Sequence, residues 1–477
     1  MGATITGDAK WGCAEDGNLK LDNWLAQRSQ SCPDRVALVA GGEEMTYADL
    51  EREAEHAARR LVAYGVRRGA TVAVTVAGTR QNVVLIHALM KTGAVLLPLS
   101  PKLSAEERAA AVEACGVSID LDDASRLTQT EADMPLLGEH DMSDLHCRIL
   151  TSGSTGTPHT VGLTYGNHLF SAMGSAFNIG VNPEDRWLCA LPISHISGLS
   201  IVMRSVIYGT TMVLHDGFDT TRVGEAIERD GVSVISMVST MLLRLLDEDI
   251  DISRPRAILV GGGPVPQGAL EEALDRGASV IQTYGLTETC SQVTTLEVKE
   301  ARRKVGSVGR PLLTSHLRIQ DGEILVQGPT VSAEALEGDA WLHTGDRGRI
   351  DEDGFLYVEG RTDEMIISGG ENVSPSEVED VLVRHPEVVE AAVVGRPDPQ
   401  WQQAVTAVVV LRRGAGVGSE ELREHCAAAL APYKGAETGR DRRRAAPDPV
   451  RQADALRPAV ARPVANPVDD SREGDPA

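Results

Sequence analysis

Two rhythms of apolar residues run along this chain. Leu50, Ala54, Ala57 and Leu61 fall on one face of a helix that starts near Met45. Thr46 and Asp49 stand at the spacing of a capping box, and Gly65 with the Arg67-Arg68-Gly69 turn ends the helix. Residues 71–77 predict a strand, 80–92 a helix and 94–99 a strand. The alternation returns at 199–214, 222–230, 231–238, 256–260 and 267–283. Strands interleaved with helices predict parallel-rich sheets covered on both faces, hence an α/β fold.

From about residue 305 the pattern shortens to alternating strands with Gly and Asp turns. Gln320-Asp321-Gly322-Glu323 and Glu352-Asp353-Gly354-Phe355 are hairpin signals. After Arg361-Thr362-Asp363 a compact α+β segment follows. Ser374 is placed to cap a helix with Pro375 first and Glu377 completing the box. Residues 388–395 and 404–411 predict strands, and 420–430 a helix. Residues 435–477 hold one Leu and no Ile, Phe, Tyr or Trp. Such a segment buries too little apolar surface to offset its ordering entropy. The expected organisation is a loose N-terminus (1–20), a large α/β domain (21–360) with a β-rich portion (305–358), a small mobile α+β domain (361–434), and a disordered tail (435–477).

Composition narrows the function. A chain of 477 residues suggests two or three domains. No apolar run reaches the roughly 18 residues of a membrane span, and no secretory signal is evident, so a cytoplasmic location is expected. Cys13, Cys32, Cys115, Cys147, Cys189, Cys290 and Cys426 form no CxxC pair, which argues against a disulfide framework or a zinc cluster. Net charge is −23, a field that repels nucleic acid. Only seven of the 46 basic residues are lysine. An acidic, lysine-poor surface is one way to stay soluble in concentrated salt and suggests a halophilic source.

The chemistry begins at Thr151-Ser152-Gly153-Ser154-Thr155-Gly156-Thr157-Pro158, after an apolar strand end. Small residues let backbone amides approach a polyphosphate, and the hydroxyls add donors. No GxxxxGK[ST] P-loop is present. A flexible surface loop is the plain alternative. Three further stretches decide between them: Gln282-Thr283-Tyr284-Gly285-Leu286-Thr287-Glu288-Thr289, Trp341-Leu342-His343-Thr344-Gly345-Asp346 and Gly360-Arg361-Thr362-Asp363. Together the four resemble the adenylate-forming superfamily over about residues 20–434. Residues 187–192, His195-Ile196-Ser197-Gly198-Leu199-Ser200, 203–209, 289–292 and 368–372 look like those of the o-succinylbenzoate–CoA ligases of menaquinone biosynthesis, a narrower family within it.

The resemblance implies an ATP-dependent acid–thiol ligase that forms an acyl-adenylate and then an acyl-CoA. Its implied partners are a small carboxylic acid, ATP, Mg²⁺ and coenzyme A, with a homo-oligomer left open. Thr151, Ser152, Gly153, Ser154, Thr155, Gly156 and Thr157 would cradle phosphates. Glu288 would hold Mg²⁺, a hard cation suited to carboxylate oxygens. Gly261, Gly262, Gly263, Thr283, Tyr284, Gly285 and Thr287 would line the nucleotide pocket. Asp346 and Arg361 would hold the ribose, Gly369 and Gly370 would border the CoA tunnel, and Asp363 would be the hinge. His195, Glu288 and Thr155 are the expected catalytic residues, and His195, Arg204, Gly262 and Ser291 would contact the acid. His195 is otherwise a core histidine. Arg204 either grips a second carboxylate of the acid or pairs with Asp216 or another acid of the chain.

Three positions depart from the family pattern. His159 stands where Lys is usual, and Gln402 where Gly is usual. The family's C-terminal Gly-Lys motif has no counterpart after Ala431-Pro432-Tyr433-Lys434, which suggests a reading-frame change near codon 434. Without that lysine, adenylation should be weak while thioester formation from supplied acyl-adenylate survives better. Separate assays of the two half-reactions check this, and equal losses in both would contradict it.

Overall fold

In the computed structural model, residues 19–122, 130–151, 159–336, 338, 340–368, 371–398, 401–412, 415–430 and 437–438 are described, the backbone alone at 371–372 and 437–438. The expected phosphate loop at 152–158, Gly369, Gly370, Lys434 and most of both tails lie outside these residues.

Parallel pairing builds two large sheets. The first runs, in spatial order, Ile119–Leu121, Thr71–Thr75, Val95–Leu99, Leu145–Thr151 and His159–Thr164. Its last strand is antiparallel, folding back so that Thr151 pairs with His159. The second has nine strands: Arg310–Pro311, Thr294–Thr295, Val280–Tyr284, Ala257–Val260, Val234–Met237, Arg186–Cys189, Thr211–Leu214, Val36–Ala40 and Glu43–Thr46. From Val280–Tyr284 to Val36–Ala40 every neighbour is parallel. The connecting helices follow the sequence pattern closely, including Arg80–Thr92, Thr220–Arg229 and Gln267–Asp275.

One apolar core joins both sheets. Leu50, Ala54 and Leu61 meet Val83, Ile86 and Leu89, and through them Val72 and Leu96 of one sheet and Leu38 and Trp187 of the other. The helix Tyr47–Tyr64 is capped as its sequence predicts. The Thr46 hydroxyl accepts from the Asp49 N–H and the Asp49 carboxylate from the Thr46 N–H. Met45 is not in this helix, however. It lies in the strand Glu43–Thr46, paired with Leu38, because edge pairing satisfies its backbone.

The β-rich portion is a four-stranded antiparallel meander: His316–Gln320, Glu323–Gln327, Leu342–Ile350 and Leu356–Arg361. Asp321 and Gly322, at φ 52° and 83°, make its first turn. This left-handed pair matches the twist of the flanking strands.

Residues 366–430 build a separate core around Ile366, Val378, Leu382, Val393, Val405 and Leu422. Ser374 precedes the helix Pro375–Val383 but its side chain does not cap it. The hydroxyl donates instead to the Glu359 carbonyl and lies 2.8 Å from the Ser376 hydroxyl, tying this helix to the meander. Gln402 has φ 66°, so the backbone keeps the left-handed turn that glycine would favour. Two expectations of irregular termini are corrected locally. Lys20–Asp22 pairs with Glu139–Asp141, and Glu437–Thr438 adds a parallel strand beside Thr406 and Ala407.

Candidate active site

Open parallel sheets place their loops at the carboxyl ends of the strands, and ligands bind there. Three such ends lie within four successive strands of the nine-stranded sheet, with Val234–Met237 between the first and second. His195 follows Arg186–Cys189, Gly261-Gly262-Gly263 follows Ala257–Val260, and Gly285 to Ser291 follows Val280–Tyr284.

Close packing dictates glycine at two of these positions. A Cβ on Gly261 would lie 2.8 Å from the Thr283 carbonyl oxygen. One on Gly285 would lie 1.6 Å from the Ser291 carbonyl oxygen. The chain therefore doubles back tightly from Gly285 to Ser291, through Cys290 at φ 51° and Ser291 at φ 92°. Thr287 and Glu288 sit on the short 3₁₀ turn inside this bend. The half-buried Glu288 side chain has no hydrogen bond or ion pair to any described residue.

Tyr284 carries the site across to the meander. Its hydroxyl donates to Asp346 Oδ2 at 2.7 Å. Arg361 Nη1 reaches the other oxygen at 3.3 Å and the Thr344 carbonyl at 3.1 Å, while its Nε reaches Asp363 at 3.3 Å. Burial pushes the Asp346 carboxyl above the usual carboxylate range, against the pull of Tyr284 and Arg361. Burial and the neighbouring Asp346 push the Tyr284 phenol up, so it remains a donor at neutral pH.

The hairpin that flanks residues 152–158 meets the same region. Ser332 donates its N–H to the Glu288 carbonyl at 2.7 Å and its hydroxyl to the Gly162 carbonyl at 2.7 Å. Thr151 and His159 are paired at the hairpin end. The structure thus brings Glu288, Tyr284, Asp346 and Arg361 together with the strands that carry Thr151.

His195 is exposed and forms the N-cap of the helix Ile196–Tyr208, so it is not a core histidine. Protein packed around part of the ring screens it from water and holds the imidazole below its usual range, which favours the neutral form. Arg204, on the same helix, is 3% exposed. It does not pair with Asp216; among the described residues no carboxylate comes within 4.0 Å of it. Its Nη2 donates to the Ser171 hydroxyl at 3.2 Å, which donates to the Cys290 carbonyl at 2.6 Å, beside Ser291. Arg204 Nε is buried without a partner. Behind it His146, Cys147 and His168 bring donor atoms within 4.8 Å of one another, a convergence that CxxC spacing could not disclose. Burial, and then Arg204, hold the His168 ring down at about 3.

Family comparison agrees with this geometry. The model of the AMP-binding enzyme matches residues 25–334, and that of the AMP-binding enzyme C-terminal domain matches 377–438. The chain belongs to the AMP-binding enzyme family. It is 40% identical over 449 residues to the 2-succinylbenzoate–CoA ligase of Bacillus subtilis, covering 86% of this chain and 92% of that one. The ligase of the same name from Geobacillus kaustophilus is 40% identical over 453 residues, 87% and 92% of the two chains. Among solved structures, the o-succinylbenzoate CoA synthetase of Bacillus subtilis with its acyl-adenylate intermediate superposes with TM-score 0.82 at 38% identity, covering 88% of this chain and 94% of that one. The same enzyme with ATP and magnesium ion gives 0.81, again at 38% identity, over 88% and 95%. As an AMP-binding enzyme this chain carries Glu288 and Arg204 within the first matched span, whereas Asp346 and Arg361 fall between the two spans.

Sequence reasoning missed Ser171, Ser332 and Glu334, which act through backbone groups far away in the chain and leave no local pattern. The tight bend gives a direct test. Gly285→Ala should lower the melting temperature and cut turnover at least roughly tenfold, because the methyl collides with the Ser291 carbonyl and opens the bend. Gly263→Ala meets nothing within 4 Å and should leave the melting temperature unchanged.

Proposed function

We propose that this chain joins 2-succinylbenzoate to coenzyme A with ATP, through an acyl-adenylate. The observation that carries the proposal is Arg204. A guanidinium buried without an anion costs several kcal/mol, and a ligand carboxylate removes that cost. An acid with two carboxylates suits it. One would meet Arg204 by a two-point contact while the other reacts at the nucleotide.

The chemistry follows from charge. A carboxylate has no good leaving group, so its oxygen first attacks the α-phosphorus and pyrophosphate departs. The CoA sulfur then attacks the acyl carbon and AMP departs. Two anions must meet in the first step, so the site needs cations and oriented donors. Glu288, with its unengaged carboxylate, fits Mg²⁺, which would neutralise phosphate charge. The buried Asp346, backed by Tyr284 and Arg361, would accept from ribose hydroxyls. Gly261 to Gly263 and Thr283 to Gly285 would form the wall beside the base. His195, neutral and exposed at the helix start, would stand near the reacting carboxylate with Thr155, and Gly262 and Ser291 beside the acid. Residues 361–434 would act as a small mobile domain turning about Asp363, so that Gly369 and Gly370 border the thiol's path in the second step.

The fold suits these small-molecule partners, and no helix among the described residues is long and apolar enough to cross a membrane. A second reading, an impaired adenylate-binding homologue, is favoured by Lys434 being the last lysine. It predicts binding of acyl-AMP without formation of CoA ester. The same assay, run across aryl and fatty acids, tests the choice of acid.

Arg204→Met should raise the KM for 2-succinylbenzoate roughly 30- to 100-fold. It should leave ATP affinity alone and raise the melting temperature of the unliganded protein, since a buried unpaired charge is gone. An unchanged KM would remove Arg204 from the acid site. Glu288→Gln should abolish Mg²⁺-dependent turnover with little change in melting temperature, and unchanged activity would remove the metal assignment.

A further inference from the structure

One cluster near the site has no part in the steps above. Glu334 grips Arg148 in a two-point fork, with Nη1 to Oε2 at 3.0 Å and Nη2 to Oε1 at 2.8 Å. The same Oε2 accepts from the Gly162 N–H at 3.0 Å. Ser332, whose hydroxyl also caps the Glu334 N–H at 3.3 Å, donates to the Gly162 carbonyl. Both peptide groups of Gly162 are therefore engaged by one short segment. Asn167 fixes the start of that segment by donating to the Pro329 and Val331 carbonyls at 2.9 and 3.2 Å. A Cβ on Gly162 would stand 2.8 Å from Glu334 Oε2, so a side chain there would push the carboxylate from this position.

We propose that Glu334 is a positioning residue: it docks Ser332–Glu334 onto Gly162 and thereby holds Glu288, through the Ser332 N–H, at a fixed place beside the Leu145–Thr164 hairpin.

An exposed ion pair by itself stabilises little, and the Glu334 side chain is 47% exposed. Here the fork and the backbone contact act together, which sets geometry more than stability. The chain of contacts is short. Glu334 meets Gly162, Gly162 meets Ser332, and Ser332 meets the Glu288 backbone. Loss of the carboxylate leaves the Gly162 N–H without its acceptor and frees the segment to shift. Glu288 would then keep its charge but lose its aim.

The inference rests on the ligase reading through the role of Glu288, and a binding cycle separates the two. ATP affinity is measured by calorimetry with and without Mg²⁺ in wild type, Glu334→Ala, Glu288→Gln and the double variant, with melting temperatures of the unliganded proteins alongside. Glu334→Ala should reduce the Mg²⁺-dependent gain in ATP affinity about tenfold and add less than about twofold in the Glu288→Gln background. Glu334→Gln, whose amide oxygen still accepts from Gly162, should retain most of the gain. Arg148→Met, which breaks the fork but keeps that contact, should lose about threefold and serves if Glu334→Ala fails to fold. A wild-type Mg²⁺ gain in Glu334→Ala, or full additivity in the double variant, overturns the positioning role. A wild-type chain that bound no ATP would sink the ligase reading and this inference with it.

Discussion

A carboxylate leaves water only when donors replace the water, and at Asp346 the donors come from two distant parts of the chain. Tyr284 ends a strand of the nine-stranded sheet, and Arg361 ends the last strand of the meander. The Tyr284 bond joins the nine-stranded sheet to the meander, while Arg361, the cross-strand partner of Asp346, holds the carboxylate from within the meander. The rest of the site is arranged around that joint. Gly285 turns the chain back directly after Tyr284, which puts Glu288 on the same edge. Ser332 then ties the segment after Glu323–Gln327 to the hairpin, so elements of three separate sheets meet there.

Against this satisfied carboxylate stands an unsatisfied cation. Among the described residues Arg204, deep in the helix Ile196–Tyr208, has one hydrogen-bond partner, the Ser171 hydroxyl, lies 5.8 Å from the Trp187 ring centre and leaves its Nε idle. Folding gains nothing from such a charge, and an apolar side chain of similar volume would pack at lower cost. Its presence makes sense when an anion arrives from solution. On the proposed reading, stability is given up at the place where recognition is needed. Behind it lie the rings and thiols of His168, Cys147 and Cys290, which contact one another and, among the described residues, make no hydrogen bond to Arg204.

How much of this was legible varied with the range of the interaction. Arg80–Thr92 and the Asp321-Gly322 turn were readable because helix periodicity and turn conformation are local properties. The Thr46–Asp49 box was readable for the same reason. The equivalent reading at Ser374 failed, since a carbonyl of Glu359, fifteen residues back, took the hydroxyl. For Arg204 the alternatives stayed open on the sequence, because pairing with Asp216 depends on where two elements come to rest. Glu334 left no signal at all. Its partners are Arg148 and Gly162, and nothing in its neighbours predicts either.

The amino-acid order by itself determined the alternation of strands and helices, the resemblance to adenylate-forming enzymes and the residue types that resemblance assigns to a nucleotide pocket. These rest on periodicity, on turn chemistry and on motifs a few residues long. Tertiary structure alone decided that His195 is exposed, that Arg204 is buried without an acid among the described residues, and that Ser332 and Glu334 fasten Glu288 to the hairpin. Burial and long-range hydrogen bonds depend on how sheets stack, and stacking is a property of the whole core rather than of any one stretch of the chain.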